Sequence, residues 1–118
     1  MAKYLILIYG DEQQWAAMTP EQWAVHGAAH GTFATTAGDR ILDSGQLEAA
    51  PAASTLRRDA GGRVVTTDGP FLETKEAVGG YYLLRADSPD EVTALVELLP
   101  EVRAGHSGVE IRRLVDHG

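Results

Sequence analysis

The chain has 118 residues, 44% of them hydrophobic, no cysteine, and 17 acidic against 10 basic side chains, for a formal net charge of −7. That length supports one domain over residues 1–118 with a core of its own, and the acidic balance excludes nucleic acid, which needs clustered Lys and Arg, as a partner. Without cysteine there is no disulfide, thiolate nucleophile or cysteine metal site, which fits a reducing cytoplasm.

The first element is the apolar run YLILIY, Tyr4 to Tyr9, bounded by Gly10-Asp11. It is too short for a signal-peptide core or a bilayer span, so no membrane association is expected, and it reads as a strand apolar on both faces. Thr19-Pro20-Glu21-Gln22 is a capping box with proline at the first helical position, and predicts a helix to about Thr36, stopped by Gly38-Asp39. On that helix the stripe Trp23, Gly27, His30, Ala34 is expected to meet a sheet, with His26 toward its edge.

Arg40–Leu47 reads as a second strand, followed by a small-residue connector, Ala49 to Ala53, that holds Pro51. Ser54–Arg58 and Arg63–Thr67, joined by Asp59-Ala60-Gly61-Gly62, carry a hairpin signal. The next stretch, DGPFLETKE from Asp68 to Glu76, turns at Asp68-Gly69-Pro70 and offers Phe71 as an anchor into the core. In an extended segment Glu73 and Lys75 point the same way, either as an ion pair or as flanks of a polar ligand. Gly80–Arg85 (GYYLLR) is a strong strand signal. A second box, Ser88-Pro89-Asp90-Glu91, opens a helix whose Val92, Leu95, Val96 and Leu99 form one buried face, ended by Pro100. Val109–Val115 is the last strand.

Strand, helix, strand, inserted hairpin, strand, helix, strand, with two halves that echo each other, is a split βαβ repeat, so the expected fold is ferredoxin-like α+β. Tyr4, Ile6 and Ile8 oppose Leu5, Leu7 and Tyr9, and Tyr81 and Leu83 oppose Tyr82 and Leu84. Two helices cover one face of such a sheet, and an apolar second face of several hundred Å² is unusual on a monomer. A homodimer joined through sheet faces is therefore expected.

The pieces KYLILIYGDEQQW, AHGTF (Ala29 to Phe33), TDGPFLETKEAVGGYYLL (Thr67 to Leu84) and VEIRRL (Val109 to Leu114) run nearly end to end. Through them the chain resembles the YCII-related family, in the subgroup called DGPF proteins. The resemblance implies a dimeric ferredoxin-like α-β barrel. Most members have no established activity, some relatives are dehalogenating or lyase-like enzymes of aromatic degradation, and a His-Asp pair has been proposed as their site. Genes of the subgroup often neighbour extracytoplasmic-function sigma factors. Carried over residue by residue, the family histidine is His30, and its partner acid is Asp68 or, second, Glu73. The segment from His30 to Ile41 is a few residues shorter than is usual for the subgroup.

A histidine facing the sheet is drawn from water, which favours its neutral form, and a neutral imidazole beside a carboxylate is a general-base arrangement. The expected roles are His30 as base, Asp68 or Glu73 as its orienting carboxylate, and Lys75 and Glu76 as binders of a small organic ligand. His26 and His30 form an HxxxH pair able to present two metal ligands, but the zincin pattern needs Glu where Gly27 stands, so neither metal nor cofactor is expected. The competing expectation is a non-catalytic ligand-binding or interaction module in sigma-factor-linked regulation.

Overall fold

A computed structural model describes residues Met1–Gly118. Strand β1 runs over Ala2–Asp11, and a short helix α1 over Glu12–Ala16. Helix α2 (Pro20–Ala37) leads to β2 (Ile41–Gln46), and β3 (Ser54–Arg58) and β4 (Val64–Asp68) follow. Then come β5 (Glu76–Ala86), α3 (Pro89–Val96), a 3₁₀ turn at Pro100–Val102, and β6 (Ser107–Arg113).

The main sheet has the order β2-β5-β1-β6, every neighbouring pair antiparallel. Each βαβ half is split by a strand of the other: β5 lies between β1 and β2, and β1 between β5 and β6. This is the antiparallel α+β arrangement of the ferredoxin-like class. β3 and β4 form a separate two-stranded sheet. Nearly every residue of that pair is exposed, so it stands off from the body. The radius of gyration, 16.4 Å, accordingly exceeds the roughly 13.5 Å of a compact domain of this length.

The caps form as their residue types require. Thr19 Oγ1 accepts from the Gln22 amide at 3.1 Å, while Gln22 Oε1 accepts from the Thr19 amide at 2.8 Å. Ser88 Oγ accepts from the Glu91 amide at 3.2 Å. Gly38, at φ 56°, turns the chain out of α2, a conformation that costs a side-chain-bearing residue energy. α1 was not foreseen in the sequence: Asp11 caps it through Oδ1, which accepts from the Gln13 amide at 3.0 Å.

All three helices lie over one sheet face. Tyr4, Ile6, Ile8 and Leu84 meet Phe33 and Ala37 of α2 and Val92, Leu95 and Val96 of α3 there, with Leu99 beside them. Burying each large side chain of this set is worth about 1.5–3 kcal/mol. The stripe by which α2 meets the sheet differs from the one expected. Gly27 and Ala34 are exposed and Trp23 is largely so, whereas His26, His30, Phe33 and Ala37 turn inward. The inward set follows the wide apolar spacing of Phe33 and Ala37, one turn apart, which the polar residues before them obscure.

No helix covers the opposite sheet face. There Leu5, Leu7 and Tyr9 of β1 stand beside Leu83, Tyr81 and Val78 of β5, all only half-buried. Phe71 does not anchor its loop in the core as expected. It is 62% exposed, with the Arg57 guanidinium 4.7 Å above its ring, because the loop departs from a hairpin that itself stands in solvent. No helix is long and apolar enough to cross a membrane.

Candidate active site

Under the N-terminal half of α2 lies an open cavity of about 520 Å³, walled by Trp15, Trp23, His26, His30, Tyr82 and Glu101. Its floor is glycine. A Cβ at Gly79 would fall 2.7 Å from the Trp15 ring, and one at Gly10 would fall 2.3 Å from it, so both glycines leave the space that the indole occupies. α1 exists to deliver that indole. The same helix ties down the connector after β2, whose Ala50 amide donates to the Glu12 carboxylate at 2.9 Å.

Four polar side chains converge on one wall. His26 and His30 sit on one face of α2, a turn apart, and Glu101 rises from the 3₁₀ turn that Pro100 opens. His30 Nε2 is 2.8 Å from Glu101 Oε2, and His26 Nε2 is 2.9 Å from the same oxygen. His30 Nδ1 is 2.8 Å from Tyr82 Oη. His30 therefore bridges a phenol and a carboxylate. Trp23 packs edge-on against His26, with ring centroids 5.2 Å apart. Phe33 supports Tyr82 from below at 4.6 Å.

The electrostatics define how the chain of bonds runs. Glu101 is 3% exposed. Burial pushes its carboxyl pKa up, but the hydrogen bond and charge of His30, its own backbone and His26 outweigh that and leave it below the ordinary value. Burial, joined by the charge of Glu101, raises the Tyr82 phenol. Burial also lowers His26, against the pull of Glu101 and with the help of His30. Glu101 is thus the anionic end and Tyr82 the protonated end. An anionic Glu101 can only accept, so the His30 Nε2–H donates to it, and Nδ1 of the neutral ring then accepts from the Tyr82 hydroxyl. His30 Nδ1, Tyr82 and Glu101 then form one directional path from the cavity wall to a buried charge.

The acid that meets His30 is Glu101, and neither Asp68 nor Glu73 bonds to it. Asp68 ends β4 on the outlying hairpin, and Glu73 lies exposed in the loop after it. Their distance from the site follows from the hairpin standing apart from the helix-covered face. Glu73 and Lys75 form no ion pair; Lys75 Nζ is instead 3.7 Å from Asp11 Oδ2, and Glu76 opens β5 opposite Asp11. Neither Lys75 nor Glu76 lines the cavity. His26, expected toward the edge, stands in the constellation itself, and together with His30 and Glu101 it places three potential metal-ligand atoms within 4.8 Å of one another. Trp15, Tyr82 and Glu101 have no local signal of function in the sequence.

A YCII-related domain accounts for residues 2–115, and the chain belongs to that family. Among its relatives is the uncharacterized protein R00369 of Rhizobium meliloti, 32% identical over 114 residues that make up 94% of this chain and 90% of the relative. Among solved structures, it is similar to the 5-chloro-2-hydroxyhydroquinone dehydrochlorinase TftG of Burkholderia phenoliruptrix AC1100, in complex with 2,5-dihydroxybenzoquinone. That likeness covers 97% of this chain and 95% of the other, at 23% identity and a TM-score of 0.48.

Proposed function

We propose that the chain is a small-molecule enzyme that moves a proton on an organic substrate held beneath α2, in an elimination of the lyase or dehalogenating kind. The observation that carries this is the single chain of bonds Tyr82–His30–Glu101 on the wall of an open cavity. As the Tyr82 oxygen takes a proton from substrate carbon, the C–H electron pair forms the new double bond and the leaving group departs as an anion with its own pair. The phenol's proton passes to His30 Nδ1, and Glu101 stabilises the imidazolium through Nε2. A histidine between a hydroxyl and a buried carboxylate is the arrangement that activates serine in hydrolases; here a phenol takes the hydroxyl's place. In this reading His30 acts as base through Tyr82 rather than directly on substrate, and Glu101 fills the orienting position expected of Asp68 or Glu73. The indoles of Trp15 and Trp23 favour a flat, partly aromatic substrate.

The test is turnover of a panel of hydroxylated and halogenated phenols and aromatic acids. His30→Ala and Tyr82→Phe are each expected to lower kcat by about 10²–10⁴-fold, the usual share of general acid–base catalysis, with the fold intact. Activity that survives both changes overturns the proposal.

Within the family we place the chain in the DGPF subgroup, on the strength of Asp68 to Phe71, and in the cytoplasm. We further propose a homodimer in which Leu5, Leu7, Tyr9, Tyr81 and Leu83 of two copies pack face to face. Their half-exposed apolar surface supports that reading.

A second reading, a non-catalytic interaction module of sigma-factor-linked regulation, is favoured by the outlying hairpin and loop. Leu56, Val64, Phe71 and Leu72 are each more than 60% exposed there. Binding of a partner protein that survives His30→Ala but is lost in Phe71→Ala with Leu72→Ala supports the second reading.

A further inference from the structure

We infer that His26, His30 and Glu101 form a binding site for one divalent transition-metal ion of the imidazole-favouring kind, zinc or cobalt, whose open coordination positions face the cavity. The inference concerns the same wall as the proposed chemistry but does not rest on it, because an ion on His30 Nε2 replaces the Nε2–H that the relay uses.

Three features point to it. Both imidazoles present Nε2 to the same carboxylate oxygen, at 2.9 and 2.8 Å, so two nitrogen donors and one oxygen donor already converge on one point. In a tetrahedral zinc site with metal–ligand bonds of about 2.0–2.1 Å, ligand atoms stand roughly 3.3 Å apart. Seating the ion opens these two contacts by about half an ångström and draws the three donors, now within 4.8 Å of one another, round it by side-chain rotation. Two histidines and one carboxylate, with the remaining positions open, is also the ligand set of a catalytic rather than a purely structural zinc.

The second feature is an unmet group. Glu101 is 3% exposed, and its Oε1 is sealed from solvent with no hydrogen-bond partner. A buried carboxylate oxygen with nothing to accept from is costly, by about 1–3 kcal/mol, and a cation at the carboxylate offsets that cost. The third is the outer contact of His30. When Nε2 binds metal, the ring proton sits on Nδ1, and Nδ1–H donates to Tyr82 Oη at 2.8 Å. An oxygen acceptor behind a ligating histidine fixes its tautomer and orientation. The donors are imidazole and carboxylate, which suit zinc and cobalt and leave magnesium and calcium, which seek all-oxygen shells, unfavoured. The HxxxH spacing, set aside because Gly27 stands where a zincin has glutamate, finds its third ligand far along the chain instead of next to the first histidine.

The experiment uses chelator-treated full-length protein titrated with cobalt(II), read by the visible ligand-field bands, and with zinc(II), read by calorimetry. One ion per chain is expected. His26→Ala, His30→Ala and Glu101→Gln should each weaken binding by more than about 10-fold, Tyr82→Phe by about 10-fold, and His117→Ala, at the exposed C-terminus, not at all. Absence of bands and heat in the wild type overturns the inference, as does binding that is unchanged in His26→Ala. His26→Ala serves as the deciding variant should Glu101→Gln fold poorly, since the His26 ring is in part open to the cavity.

The two proposals fail separately. Turnover that needs His30 and Tyr82, in a protein that gives neither cobalt bands nor zinc heat, refutes the metal site and leaves the proton relay standing. Metal binding that requires the three ligands, in a protein whose turnover ignores Tyr82, does the reverse.

Discussion

Replacing Glu101 by glutamine keeps its size and removes its charge. The wild-type carboxylate accepts one charge-assisted hydrogen bond from His30 at 2.8 Å and is approached by His26 at 2.9 Å. A hydrogen bond to a charged group is worth about 1.5–3 kcal/mol, and the His26 contact adds a smaller amount. Against this, glutamine no longer holds a charge in a 3% exposed position, and its amide can present a donor or an acceptor to suit the site. The net expectation is a loss of about 2 kcal/mol at neutral pH, a fall in the thermal midpoint of roughly 6–12 °C for a domain of this size.

The dependence on pH makes the prediction specific to charge. The Glu101 pKa is depressed in the folded chain below the ordinary 4.5. Its contribution is therefore present above about pH 4.5 and is lost as pH falls through the lower folded value. Paired denaturation curves of wild type and Glu101→Gln should stay a constant distance apart near neutrality and converge in acid. A variant as stable as the wild type at pH 7 refutes the net-stabilising carboxylate. A gap that persists unchanged into acid shows that shape rather than charge was lost.

Three further outcomes are expected. The His26 pKa is held below 6.5 in the fold, so the unfolded chain takes up this proton first and stability falls as pH drops below about 6.5. His26→Gln should remove that part of the loss, as measured by urea midpoints at about pH 7.5 and about pH 5.5. Gly79→Ala puts a methyl where the Trp15 ring lies, 2.7 Å away, and overpacking of this kind costs about 1–3 kcal/mol. In a Trp23→Phe background the fluorescence of Trp15 should shift with it. Leu7→Asp places a charge at the middle of the uncovered sheet face; in analytical ultracentrifugation the wild type is expected to sediment as a dimer and the variant as a monomer.

Much of the scaffold is legible because its signals are local. The boxes at Thr19 and Ser88, the unbroken apolar run of Tyr4 to Tyr9, and the Asp59-Ala60-Gly61-Gly62 turn each depend on residues that touch their own neighbours. They predict elements within a few residues of where they form. α1 has its signal in Asp11 followed by Glu12-Gln13-Gln14, a cap and first turn masked by the strand before it.

The site is less legible because it is made of distant pairs. Glu101 follows a proline in a stretch that reads only as a helix end, and nothing within that stretch says that a carboxylate is buried there. Its burial follows from the partners, His26 and His30, which come seventy residues earlier in the chain and meet it only when α2 lies across the sheet. Tyr82 was visible as one of two adjacent tyrosines, but which of them faces the helices depends on strand register. Pairing of Tyr82 with Ile6 puts it on the covered face, while Tyr81 pairs with Leu7 and faces the other way. The loop after Asp68 is conspicuous in sequence for its dense charges. Its hairpin keeps those charges in solvent.

Long-range proton–nitrogen NMR on metal-free protein with labelled histidine reads the His30 ring itself. A proton fixed on Nε2, with Nδ1 acting as an acceptor, in a pattern that shifts in both Tyr82→Phe and Glu101→Gln, is what a hydrogen-bonded line from phenol to carboxylate requires. A ring that averages between tautomers as free histidine does, and that responds to neither substitution, contradicts it.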